Sequence, residues 1–158
     1  MTGRMHGLRM AAVLGVAAAL AGGAALAAQT AAQTIAARQA GYKQMGAAFK
    51  TINDQLRTNS PDTAAVAAAS RRIGEISTAQ FGWFPKGSGP ESGVKTRAKP
   101  AIWSDPARFA AAQKALQTEA AKMQRLAAAR DVAGMKAQAK ALGGACAGCH
   151  KPFRAEES

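Results

Sequence analysis

The stretch DVAGMKAQAKALGGACAGCHKPF, Asp131 to Phe153, sets the terms on which the rest of the chain is read. Val132, Met135, Ala139, Leu142, Cys146, Cys149 and Phe153 follow one another at steps of three and four. An α-helix returns to the same face every 3.6 residues, so these side chains form one stripe aimed at a core. Asp131 stands where an N-cap is needed. The stripe contains both cysteines of the chain, and His150 follows the second at once.

Working outward, the same period recurs three times. From Gln33 to Arg57, the residues Arg38, Tyr42, Met45, Phe49, Ile52 and Leu56 alternate steps of four and three. RTNSPD (Arg57 to Asp62) interrupts that helix, with Ser60 read as the next cap and Pro61 as the first helical position. Val66, Ala69, Ile73 and Ile76 mark a second helix, which stops before FGWFPKGSGP (Phe81 to Pro90). A long connection follows, from about Gly82 to Ile102. WSDPARF (Trp103 to Phe109) opens a third helix, with Ser104 or Asp105 as cap and Pro106 in the first turn. Phe109, Leu116 and Met123 then recur at seven, with Ala112, Glu119 and Leu126 filling the intervening offsets less cleanly.

Composition agrees with helices. Hydrophobic residues make up 48% of the 158 residues, yet aromatics only 5%, so alanine carries most of the apolar count. Alanine is the best helix former, and β-branched residues are sparse. The expected fold is all-α, an antiparallel up-down-up-down four-helix bundle.

The N-terminus reads differently. Arg4 and Arg9 precede an apolar run from Ala11 to Ala27 that ends in Ala25-Leu26-Ala27. That is the layout of a secretory signal, with a membrane anchor as the alternative. The expected division is a cleaved leader at 1–27 and a mature domain at 28–158. Cleavage leaves 19 Lys and Arg against nine Asp and Glu, a net charge of +10. It also removes His6, so that His150 is the sole histidine of the mature chain.

Cys146, Cys149 and His150 form C-x-x-C-H, the signature of a covalent c-type haem. Two thiols three apart on a helix face the same way and suit addition to two vinyl groups; the adjacent imidazole suits an axial position. Other readings fit less well. A thioredoxin-type pair wants a βαβ setting, a structural zinc wants four ligands, and a disulfide across three helical residues has poor geometry.

With these features assembled, the chain resembles the cytochromes c′, the class II c-type cytochromes. The resemblance runs from ARQAGYKQMGAAFK (from Ala37) through KPAIWSDPARF to CAGCHKPFR (to Arg154). It implies one haem c attached near the C-terminus, with His150 as the axial iron ligand. It implies that Arg38 and Gln39 contact the haem, the arginine through a propionate. Glu91 and Ser92 fall in the loop that reaches the haem edge in relatives, and Arg154 lies beside the imidazole. Each has an ordinary surface or loop role as its alternative. Trp83 and Trp103, flanking the long loop, are read as core packing. Tyr42 occupies the family's distal position, where low-spin relatives carry a ligating methionine. Met45, one turn further along, is read as core filler.

The function this implies is electron transfer or reversible binding of small gases such as NO and CO at five-coordinate, mainly high-spin iron, in the periplasm. The alternatives are a low-spin electron carrier with a methionine ligand and a peroxidase-type enzyme. Peroxidase chemistry wants distal acid–base groups, and the mature chain has no second histidine. No catalytic residue is assigned. The resemblance also implies a homodimer through the first two helices, where Ala40, Ala47 and Ala48 are read as a small outer face. The basic charge suits acidic redox partners; nothing points to nucleic acid or to a membrane span after the leader is removed.

Overall fold

The computed structural model describes residues 29–156. The expected leader at 1–27 therefore lies outside the described residues. Four long helices dominate: α1 (Ala31–Arg57), α2 (Thr63–Ala79), α4 (Pro106–Ala128) and α5 (Val132–Phe153), with a short α3 (Ala101–Ser104) before α4. They run antiparallel in sequence order, α1 packing on α2, α2 on α4 and α4 on α5. α1 and α5 touch far less than these three pairs do. No described helix is long and apolar enough to cross a membrane.

Capping fixes the helix starts. Thr30 and Gln33 form a reciprocal capping box on α1, Gln33 N donating to Thr30 Oγ1 at 3.2 Å and Thr30 N to Gln33 Oε1 at 3.0 Å. The start of α2 differs from the sequence expectation. The cap is Asp62, whose Oδ1 accepts from Ala64 N at 2.9 Å and Ala65 N at 3.0 Å. A carboxylate satisfies two orphan amides and complements the helix dipole, so it outcompetes the Ser60 hydroxyl two residues earlier. Asp105 caps α4, with Pro106 in the first turn, and Asp131 caps α5.

The core is the sum of the four stripes. Met45, Ile52, Leu56, Val66, Ile73, Ile76, Leu116, Met123, Met135 and Leu142 are all buried in one cluster. On α4 the intervening offsets belong to Gln113, Ala120 and Ala127 rather than to Ala112, Glu119 and Leu126. Ala48 also departs from expectation. It is buried and packs inward, while Ala40 and Ala47 are exposed. Helix α1 is wide enough at that level to bury both Met45 and Ala48.

A second cluster closes the other end of the bundle. Ile102, Phe109 and Phe153 are buried there, with Phe84, Trp103 and Cys149 packed against them. The long connection is thus folded, not loose. Two 3-10 turns, Gln80–Gly82 and Pro90–Ser92, shape it. Trp103 Nε1 donates to Phe84 O at 3.1 Å and Pro85 O at 3.2 Å, which pins the two ends of the loop together.

Candidate haem-binding site

Cys146 and Cys149 project from the last turns of α5. Both thiols are free and half-buried. Cys146 packs on the larger cluster and Cys149 on the smaller, so the pair sits at the junction of the two. Burial raises both thiols, pushing Cys149 up to about 11 with help from neighbouring Cys146. Reactive dithiols have lowered values, so burial here works against thioredoxin-like reactivity.

His150 is exposed, so it lies at the edge of the stripe rather than within it. Its imidazole is nonetheless held below the usual value, by partial desolvation first and then by Arg154 and Arg97. It is therefore neutral at pH 7, the form that donates a lone pair to a metal. The backbone just beyond it is tied down. Lys99 N donates to Phe153 O at 3.0 Å and Ala155 N to Arg97 O at 2.8 Å, an antiparallel bridge pairing Ala98 with Arg154. Arg97 Nε adds a bond to Ala155 O at 2.7 Å.

Across from α5, Arg38 is only 4% exposed. Its Nη1 donates to Trp83 O at 3.4 Å and Ser88 Oγ at 3.2 Å, its Nη2 to Ser88 O and Thr96 Oγ1, each at 2.9 Å. The guanidinium also lies 4.6 Å from the centre of the Phe84 ring. Gln39 Nε2 reaches Lys95 O at 3.3 Å. The two residues therefore fasten the 83–96 loop onto α1.

Glu91 and Ser92 shape the same loop from within. Glu91 Oε1 accepts from Gly89 N at 3.0 Å, and Ser92 Oγ donates to Gly89 O at 2.6 Å. Tyr42 completes the wall. Its ring meets Trp83 edge-on, centroids 5.1 Å apart, and its hydroxyl donates to Gln80 Oε1 at 3.1 Å. Burial drives the phenol well above its usual value, so no tyrosinate forms near neutral pH. Met45, three residues on, is buried in the core.

A family model described as Cytochrome C′ matches residues 33–154. The cytochrome c′ of Rubrivivax gelatinosus is 33% identical over 118 residues, 74% of this chain and 90% of that protein. The chain belongs to the cytochrome c′ family. Solved structures agree on the fold. A cytochrome c′ with an unusual ligand-controlled dimer dissociation is similar with a TM-score of 0.76 and 27% identity, over 82% of this chain and 100% of that one. The nitric oxide complex of a mutant cytochrome c′ from Alcaligenes xylosoxidans is similar with a TM-score of 0.73 and 25% identity, over 81% of this chain and 98% of that one.

Membership of the cytochrome c′ family implies a covalent haem c, and the donor set here fits one. Two unpaired thiols share an apolar face of α5, a neutral imidazole follows, and cationic side chains lie beside it and on α1. Two residues of this wall escape a reading of motifs alone, Gln80 and Gln113. Both are buried, and Gln113 Nε2 donates to Gln80 O at 3.1 Å. The signal was present in the spacing: Gln80 lies four beyond Ile76, and Gln113 four beyond Phe109, each continuing its helix stripe.

Proposed function

We propose that this cytochrome c′ is an exported haem protein, freed of residues 1–27 in the periplasm, that binds small gases such as NO or CO reversibly and exchanges single electrons. When bound, the haem supplies an iron centre for ligation and one-electron redox change. Cys146 and Cys149 would hold it through two thioethers, and His150 would offer its iron a neutral nitrogen. Partial burial first, and then Arg154 and Arg97, disfavour protonation of that imidazole. Gln39, Glu91 and Ser92 contribute by shaping the loop beside the haem. Arg38 has all four Nη hydrogens committed to the loop, so Nε–H is what it offers a propionate without giving up a bond.

The observation that carries the five-coordinate, mainly high-spin reading is the pairing of Tyr42 with Met45. The side chain on the ligand side is a protonated phenol, and the nearest thioether on α1 is buried in the core, 7% exposed. A relative in this family forms a nitric oxide complex, which supports the same chemistry. The protein is not an enzyme on this reading, and it pairs with a second copy through α1 and α2.

Electron paramagnetic resonance of the purified ferric protein tests this. A mainly high-spin signal, unchanged in Met45→Leu, is expected. A methionine–iron charge-transfer band that disappears in Met45→Leu would instead make it a low-spin electron carrier. Denatured protein should keep its haem, and Cys146→Ala/Cys149→Ala should not.

A further inference from the structure

The hydrogen bonds around Tyr42 determine what that residue can do for a ligand. Gln80 is 1% exposed and Gln113 4%. The Gln80 carboxamide nitrogen donates to Ser77 O at 3.1 Å and to Gln113 O at 3.5 Å. Gln113 returns a bond from its own Nε2 to Gln80 O at 3.1 Å. With both of its N–H groups directed at carbonyl oxygens, the Gln80 carboxamide presents only its oxygen to Tyr42. The phenol must therefore donate, and its single proton is committed. Trp83 holds the ring from the side, and it reaches α1 because Gly41 has no side chain: a Cβ there would run into the indole.

We propose that the Gln80–Gln113 pair is a positioning device for Tyr42, which keeps the phenol proton away from incoming ligands and makes ring displacement the step that limits diatomic access. It rests on the reading that Tyr42 stands on the ligand side of the haem. Swinging the ring aside strands the Gln80 oxygen, which is buried at 1% exposure, so the ring resists a ligand more than its size alone would require. While the bond to Gln80 lasts, Tyr42 presents an apolar wall and gives a bound gas no hydrogen bond. Selectivity then falls on ligand size, not on ligand polarity.

The test uses the haem-loaded protein, Tyr42→Phe, Gln80→Met and the double variant. Each single variant should bind carbon monoxide about fivefold faster, the factor one ordinary buried hydrogen bond is worth. The double variant should be no faster than either single one, since all three remove the same bond. The chain has one tyrosine, so the ultraviolet resonance Raman tyrosine bands report Tyr42 alone. They should show a hydrogen-bond donor in the wild type and lose that signature in Gln80→Met. Tyr42→Ala separates the proposal from the reading beneath it. If Tyr42→Ala leaves the rate unchanged, Tyr42 is not on the ligand side. If it accelerates binding while Tyr42→Phe and Gln80→Met do not, Tyr42 is the obstacle and the carboxamide pair does not hold it. Should Gln80→Met fail to fold, Tyr42→Phe carries the rate test, and a wild-type spectrum lacking the donor signature overturns the proposal.

Discussion

Arg38 is a buried cation with no carboxylate at ion-pair distance among the described residues, solvated instead by two carbonyls, two hydroxyls and an aromatic face. Desolvation lowers its affinity for a proton, partly offset by Tyr42 and Glu91, yet a guanidinium remains charged at any ordinary pH. Its worth is thus structural as well as electrostatic. Arg38→Met keeps the aliphatic stem and removes every donor, leaving Ser88 and Thr96 short of partners. We expect a loss of roughly 3 kcal/mol, from several bonds to one charged group. Guanidinium unfolding of the holoprotein measures it; a loss under about 0.5 kcal/mol, typical of a surface site, would show that the loop does not depend on Arg38. Arg38→Lys should fall between, because an ammonium cannot span the fork.

At the scale of elements, α1 is shaped by what it must admit. Beside its stripe, at Gly41, the helix surface is cut away for Trp83. Glycine inside a helix costs about 1 kcal/mol against alanine, a cost that the packed indole offsets here. Two substitutions in the same helix should therefore go in opposite directions. Gly46→Ala meets nothing within 4 Å and should stabilise by ~0.5–1 kcal/mol. Gly41→Ala should destabilise by about 1–3 kcal/mol, as overpacking does, and disturb the tryptophan bands in near-ultraviolet circular dichroism. Equal melting shifts for both variants would show that the indole is not seated on α1. α5 poses the opposite case. Gly144 and Gly148 have open space around them, so the final turns beside the cysteines are not crowded from outside.

For the whole molecule, the net charge of +12 is not evenly neutralised. The groove between α2 and α4 is lined by Arg71, Lys114 and Arg125, with Glu75 the one acid among its lining residues. Glu75 is itself paired with Arg72 at 2.9 Å. A partner with an acidic surface should be drawn to this molecule at low salt. Electron transfer to an acidic redox protein is expected to slow as salt is raised from ~0.01 to ~0.15 M, where the screening length falls from about 30 to 8 Å. Reduction by an uncharged dye should not change. A rate with the acidic protein that ignores salt would leave the charge with solubility alone.

The sequence by itself determined the helical class, the stripes and the attachment motif, because each is written in local spacing. Val132 to Phe153 shows its face by period, and Cys146, Cys149 and His150 are neighbours on one helix whatever surrounds them. Tertiary structure decided the rest. That Asp62 caps α2 instead of Ser60 depends on which turn the chain takes after Arg57. That Ala48 turns inward while Ala47 does not depends on where α2 and α5 lie. The spacing marks Arg38 as a charge on the stripe of α1, and only the folded loop adds its bonds to Ser88 and Thr96. Gln80 and Gln113 lie 33 residues apart in sequence. Their meeting with Tyr42 is a contact among three helices, which no local pattern encodes, and burial alone turns two ordinary glutamines into groups that must find partners.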